Sequence, residues 1–243
     1  MASSAIPETP SVPPPRVGSV LHTVVLLAVI LAVSLSTAQS SHTFTARHGR
    51  VSTYAFTVFW EWALCAYVLW GARRRGVGLR ELVGGSWQHL DDALLDVALA
   101  AGFWIVSAIV LAGLGYLLGL AQQTSLESAR KSLGFLLPHT NPELLLWLAL
   151  SATAGFCEEI IFRGYLQRQF ASFTRNAVAG LVLSALVFGL AHGYEGGRRM
   201  ALIAVYGALF GLMARWRRSL RPGMMAHAWH DGFTGAVWRL LNI

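Results

Sequence analysis

Apolar residues run along the chain in long blocks that short polar segments separate. The blocks lie at about 17–38, 52–71, 94–120, 144–163, 178–193, 199–214 and 223–241. At about 1.5 Å per residue, most blocks reach roughly 25–30 Å as a helix, close to the hydrocarbon thickness of a bilayer, and the block at 94–120 is longer. Helices are required there because backbone groups cannot stay unpaired in hydrocarbon. The pattern therefore predicts an all-α fold, a polytopic transmembrane helical bundle with about seven spans.

The N-terminal region admits two interpretations. Residues 1–16 are rich in Pro and Ser and lack an apolar period, which predicts a disordered tail. The first block then resembles a secretory signal, because Ser36-Thr37-Ala38 has the small residues of a cleavage site. Its length is nevertheless sufficient for a span, and the segment before it carries little positive charge. We favour an uncleaved first span.

Composition supports a membrane location. Only 13% of the residues are charged, against about 25% in an average soluble domain. The net charge of +7 would also suit a nucleic-acid partner, but the basic residues lie in short clusters between the blocks. That arrangement is typical of the positive-inside rule of membrane proteins. We therefore expect a lipid bilayer around the chain and no nucleic-acid partner.

The basic clusters also predict an orientation. The loops after the second, fourth and sixth blocks carry Arg73, Arg74, Arg75, Arg80, Arg168, Arg175, Arg215, Arg217, Arg218 and Arg221. These loops alternate along the chain, so the bias places the N-terminus in the cytoplasm. Lys131 is the only lysine, and such a preference for Arg is typical of a GC-rich bacterial genome. The predicted location is the bacterial cytoplasmic (inner) membrane, with a multi-pass chain.

Three polar clusters interrupt the later blocks. They are Glu158-Glu159 with Arg163, Phe188 with His192, and His227 with His230 and Asp231. Charged groups inside spans are costly and usually functional. One histidine alone can bond a neighbouring helix, and one ion pair can be structural. Six costly groups in three blocks instead favour a shared site: Glu158, Glu159, Arg163, His192, His227 and Asp231.

Helical spacing separates the two carboxylates. Glu159 and Arg163 are four residues apart, so they share a face and form an ion pair in the better orientation. Glu158 lies about 100° away around the helix and has no local counter-charge. We therefore interpret Glu158 as the general base and Glu159 as ion-paired. His227 and Asp231 are also four apart, and they either bond each other or address one ligand.

The three motifs, in order, resemble those of a known family. Glu158-Glu159-x-x-x-Arg163, Phe188-x-x-x-His192 and His227-x-x-x-Asp231 are similar to the motifs of the CPBP intramembrane proteases. That family includes CAAX prenyl endopeptidases and bacterial abortive-infection homologues. The resemblance covers about residues 140–240. It divides the chain into the tail, N-terminal transmembrane helices at 17–140 and a catalytic core at 141–243.

The resemblance implies an endopeptidase whose active site lies within the bilayer. In that scheme Glu158 activates a water and His192 helps to position it. His227 and the residue at 231 stabilise the oxyanion, while Glu159, Arg163 and Phe188 support the site. The substrate is a peptide or a membrane protein. The family more often has Asn at the last position, and an ionised Asp231 cannot donate to an oxyanion as Asn does.

Other functions compete with this one. Glu158, His192 and His227 have the chemistry of zinc ligands, so a metalloprotease is an alternative to the favoured mechanism without a cofactor. A non-catalytic immunity-like membrane protein is a second alternative. A transporter is a third, although the chain shows no internal repeat.

Overall fold

The computed structural model describes residues 16–117 and 133–241, and these residues form helices and no strand. The elements are α1 (Val20–Arg73), α2 (Leu79–Val83), α3 (Leu90–Leu117), α4 (Asn141–Glu158), a π-helical segment (Glu159–Leu166), α5 (Gln167–Thr174), α6 (Ala177–Ala191), a 3₁₀ turn (Gly193–Glu195), α7 (Gly197–Arg217) and α8 (Arg221–Leu241). The predicted all-α class is confirmed. The predicted tail up to residue 15, the end of the third block and Lys131 lie outside the described residues.

Helix α1 consists of two antiparallel arms. Gly49 interrupts it with φ 79° and ψ 164°, a conformation that essentially only glycine adopts. The rings of His22 and Tyr67 stack with centroids 3.9 Å apart, although the two residues are 45 positions apart. In a straight helix they would be roughly 67 Å apart. The first two apolar blocks therefore form a first arm (20–48) and a second arm (50–73) that fold back on each other.

Within residues 16–117 and 133–241, four helices are long and apolar enough to cross a membrane: α1, α3, the continuous helix Asn141–Thr174 and α7. The described surface is also apolar, since the side chains of Leu21, Phe59, Ile109 and Leu145 are each well over half exposed. Such side chains suit contact with lipid rather than water. The chain is therefore a multi-pass membrane protein. The count of seven spans stays a prediction, because α6 is shorter and α1 counts as one helix.

Long-range contacts define one end of the bundle. The backbone amides of Val17 and Gly18 donate to the Gln169 side chain, and the Leu220 amide donates to the Val83 carbonyl at 2.9 Å. At the same end Arg217 pairs with the buried Asp96 at 2.9 Å. These contacts are flanked by the Arg-rich loops, which were predicted to lie on one side of the membrane. The opposite end is marked by hydrogen bonds from Arg50 to the Gly134 carbonyl and from Tyr54 to the Leu136 carbonyl.

The close approach of α4 to α8 positions the site. At Gly155 an added Cβ would lie 2.6 Å from the Met224 carbonyl oxygen and 2.9 Å from the Ala228 backbone nitrogen. Only glycine leaves room for backbone contact at that distance. This contact lies one turn before Glu158 on α4 and next to His227 on α8. The two candidate catalytic residues are consequently brought together by a close backbone contact between the two helices.

Candidate active site

Helix α4 and the π-helical segment that follows it place Glu158 and Glu159 in the interior of the bundle. The helix starts with a capping box, in which the Thr140 side chain accepts from the Glu143 amide and Glu143 accepts from the Thr140 amide. It ends at Glu158, where the helix widens into the π segment. The Ser184 hydroxyl donates to the Phe162 carbonyl at 2.7 Å, so part of the altered backbone is satisfied by a neighbouring helix. Such π segments occur frequently at functional sites.

Glu159 is the centre of a buried polar network. Its Oε1 atom lies 2.9 Å from Arg163 Nη1 and 3.2 Å from His227 Nδ1. Arg163 also donates to the Gly207 carbonyl at 3.0 Å, and its guanidinium lies 4.3 Å from the Phe188 ring centroid. The Glu159 side chain is 1% exposed. The predicted pairing of Glu159 with Arg163 is present, and the contact with His227 is an addition that helical spacing did not predict.

The second nitrogen of His227 faces two carboxyl groups. His227 Nε2 lies 3.7 Å from Glu158 Oε2 and 3.7 Å from Asp231 Oδ2. The Oε2 atom of Glu158 is buried and has no hydrogen-bond partner among the described residues. The Asp231 carboxyl group is about one-third exposed, while its backbone carbonyl accepts from Trp147 at 2.8 Å. Glu158, His227 and Asp231 therefore lie together, with Glu159 rather than Asp231 orienting the imidazole.

His192 packs against Phe188. The centroid of the Phe188 ring is 4.8 Å from that of His192 and 6.1 Å from that of His227. His192 Nδ1 contacts the Phe188 carbonyl at 2.9 Å, which leaves Nε2 to face elsewhere. Among the described contacts, His192 makes no ion pair with Glu158. The structure thus places His192 beside the cluster, with the Phe188 ring close to both imidazoles.

Three further residues lie at the site and were not predicted. Glu61, on the second arm of α1, interacts electrostatically with Glu158 and Asp231. Tyr194, in the 3₁₀ turn, interacts with the same carboxyl groups. The Tyr206 ring lies 5.1 Å from His230 and 6.5 Å from His227. A signal for Glu61 exists in the sequence, because it is an acidic residue in an apolar block.

The three residues considered as alternative zinc ligands do not form a metal-binding group. Among the described residues, no set of three or more His, Cys, Asp or Glu side chains is arranged to hold a metal ion. Glu158 and His227 are close, but among the described residues no hydrogen bond or ion pair joins His192 to either of them. Glu158, His192 and His227, the ligands that the zinc alternative requires, are therefore not arranged as a metal site.

The fold and the site define a class of protein: a multi-pass membrane protein with a buried acid–histidine cluster. Residues 140–233 match the family model Rce1-like, described as type II CAAX prenyl endopeptidase Rce1-like. The resemblance predicted from the three motifs is confirmed for this segment, which contains all of them and is less than half of the chain. The match implies a peptidase and supports CAAX-protease-like function in the membrane. No curated protein and no solved structure matches the chain.

Proposed function

We propose that the chain is an intramembrane endopeptidase in which Glu158 is the general base that activates water. One observation carries the proposal. Glu158 Oε2 is buried without a hydrogen-bond partner among the described residues, 3.7 Å from His227 Nε2. A buried polar atom is normally satisfied, so an unsatisfied one in an acid–histidine cluster favours a role toward water or substrate.

The neighbouring residues support this chemistry. Glu158 takes a proton from water as the water oxygen attacks the carbonyl carbon, and later returns that proton to the leaving amine. Glu159 holds His227 through Nδ1, so Nε2 is directed toward the reacting groups. There His227 stabilises the negative oxygen that develops in the transition state. His192, whose ring packs against Phe188, is a secondary contributor.

The test compares peptides in membranes that contain the wild type or Glu158→Gln. We expect products in the wild type and a loss of roughly 10²–10⁴ in rate for Glu158→Gln, because general base catalysis contributes about that much. Glu81→Gln is the control, since Glu81 is an exposed acid paired with Arg168 at the bundle end. Equal product from Glu158→Gln and the wild type would refute the base, and no product from either would favour the non-catalytic immunity-like alternative.

A chelator separates this mechanism from the zinc alternative. Glu158 activates water without a metal in the proposed scheme, so exhaustive chelation should leave the rate of cleavage nearly unchanged. The measurement is the rate of cleavage of one peptide before and after chelation, with zinc added back. Loss of rate that stoichiometric zinc restores would replace the glutamate mechanism by a metalloprotease.

The proposed substrate is a peptide or a membrane protein, and nucleic acid is not a proposed partner. The proposed location is the inner membrane of a bacterium, with the N-terminus in the cytoplasm. The Arg-rich loops support this orientation.

A further inference from the structure

Glu61 is partly buried in the bundle, near the level of the active site. The second arm of α1 runs parallel to α4, since Tyr54 contacts Trp147 and Trp62 contacts Phe156 through their rings. Continuing along both helices, Glu61 comes within one turn of the level of Glu158. The N-terminal helices, which carry none of the three motifs, therefore contribute an acid to the site.

One oxygen of the Glu61 carboxyl group is not satisfied by the described residues. Its Oε2 atom is buried and has no hydrogen-bond partner among the described residues, and the same is true of Glu158 Oε2. The two carboxyl groups interact electrostatically. The carboxyl group of Asp231 also acts electrostatically on Glu61.

The two unsatisfied buried oxygens belong to carboxyl groups that interact electrostatically, so one bound molecule can account for both. Each costs stability, because a carboxyl oxygen removed from water loses its hydrogen bonds. Carboxylate oxygens accept hydrogen bonds, and one water molecule has two hydrogens to donate. A water between Glu61 and Glu158 satisfies both oxygens and keeps its lone pairs for a third atom.

We propose that Glu61 is a second catalytic carboxyl group, which together with Glu158 holds and orients the attacking water. This inference rests on the proposed function. The water donates one hydrogen to each carboxyl group and directs a lone pair at the substrate carbonyl carbon. As the new C–O bond forms, the O–H bond toward Glu158 breaks, Glu158 receives the proton, and the carbonyl π electrons move to the oxygen. Glu61 keeps its hydrogen bond throughout and transfers no proton.

Two substitutions of Glu61 test the proposal with a peptide that the wild type cleaves. Glu61→Leu removes both oxygens at similar volume, so we expect kcat to fall roughly 10–100-fold, as for a misoriented reactant. KM should change less than twofold, and Tm should stay equal or rise, because an unsatisfied buried acid is lost. Glu61→Gln keeps one acceptor oxygen and should have an intermediate kcat. Phe59→Leu, on the lipid-facing side of the same helix, is the control and should match the wild type.

A double substitution completes the test. If both acids hold one water, adding Glu61→Leu to Glu158→Gln should cause no further loss of rate, since residues that act as a unit are not additive. A Glu61→Leu variant as active as the wild type overturns the inference, and so does a low Tm in both Glu61 variants, which would indicate a structural role. The Glu158→Gln variant distinguishes a failure of this inference from a failure of the proposed function. If Glu158→Gln is inactive while Glu61→Leu is active, only this inference fails. If Glu158→Gln is active, the proposed function fails as well.

Discussion

The environment of Glu159 shows how one residue both stabilises the fold and prepares the site. Its carboxyl group pairs with Arg163 and contacts His227, and all three side chains are almost fully buried. Removing the charge would leave Arg163 charged and unpaired. We therefore expect Glu159→Gln to lower the free energy of unfolding by about 3–5 kcal/mol. Thermal unfolding in detergent measures this, with Glu158→Gln as a matched control that should keep the wild-type Tm. The opposite order of stabilities would reverse the roles of the two acids.

Asp231 takes the position where the similar family more often has Asn. Asp231 Oδ2 lies 3.7 Å from His227 Nε2, so an ionised carboxylate there stabilises a positively charged imidazole. Under that role Asp231→Asn should lower the rate of peptide cleavage, by less than the roughly 10²–10³ that loss of an oxyanion contact costs. The measurement is the pH–rate profile of both proteins on one peptide. A variant as fast as the wild type at every pH tested would instead assign the neutral, donating role to residue 231.

Local spacing predicted some of these contacts and missed others. The pairing of Glu159 with Arg163 follows from four-residue spacing on a helix, and so does the proximity of His227 and Asp231. The contact between Glu159 and His227 joins residues 68 positions apart, so helix packing rather than spacing decides it. The electrostatic interaction of Glu61 with Glu158 likewise joins residues that are far apart in the chain. Its acidic side chain in an apolar block was a visible signal, but nothing local connects it to Glu158.

At the scale of helices, hydrophobic patterning predicted where elements lie better than where they end. The first block was expected to end at residue 38, yet the first arm of α1 continues as a helix through polar residues to Gly49. Hydropathy reports contact with lipid, whereas a helix can continue beyond the bilayer. The π segment was also not predicted. Glu159 and Arg163 share a face both in an α-helix and in this segment, so their spacing does not distinguish the two kinds of helix.

Gly155 is the position where helix packing controls the site. An added side chain there would collide with the backbone of α8 near Met224 and Ala228, and backbone cannot move aside cheaply. We expect Gly155→Val to lower stability by about 1–3 kcal/mol and to reduce cleavage further, because it separates Glu158 from His227. The Tm measures the loss of stability, and the rate of cleavage per folded molecule measures the loss of activity. Gly102→Ala is the control, since nothing lies within 4 Å of its added Cβ. Equal effects of both substitutions would contradict the role of this contact.

At the scale of the whole molecule, the structure gives the chain two distinct ends, and charge decides which end faces the cytoplasm. Arg217 lies at the end that includes Val17 and Gln169, and Arg74 follows the arm that returns there, while His139 lies at the opposite end beside Trp238. Because positive loops stay in the cytoplasm, reporters fused after Arg74 and Arg217 should be active only as cytoplasmic enzymes. A reporter fused after His139 should be active only as a periplasmic enzyme. A cytoplasmic signal after His139 would contradict the orientation, and equal signals at all three positions would contradict a chain that crosses between these ends.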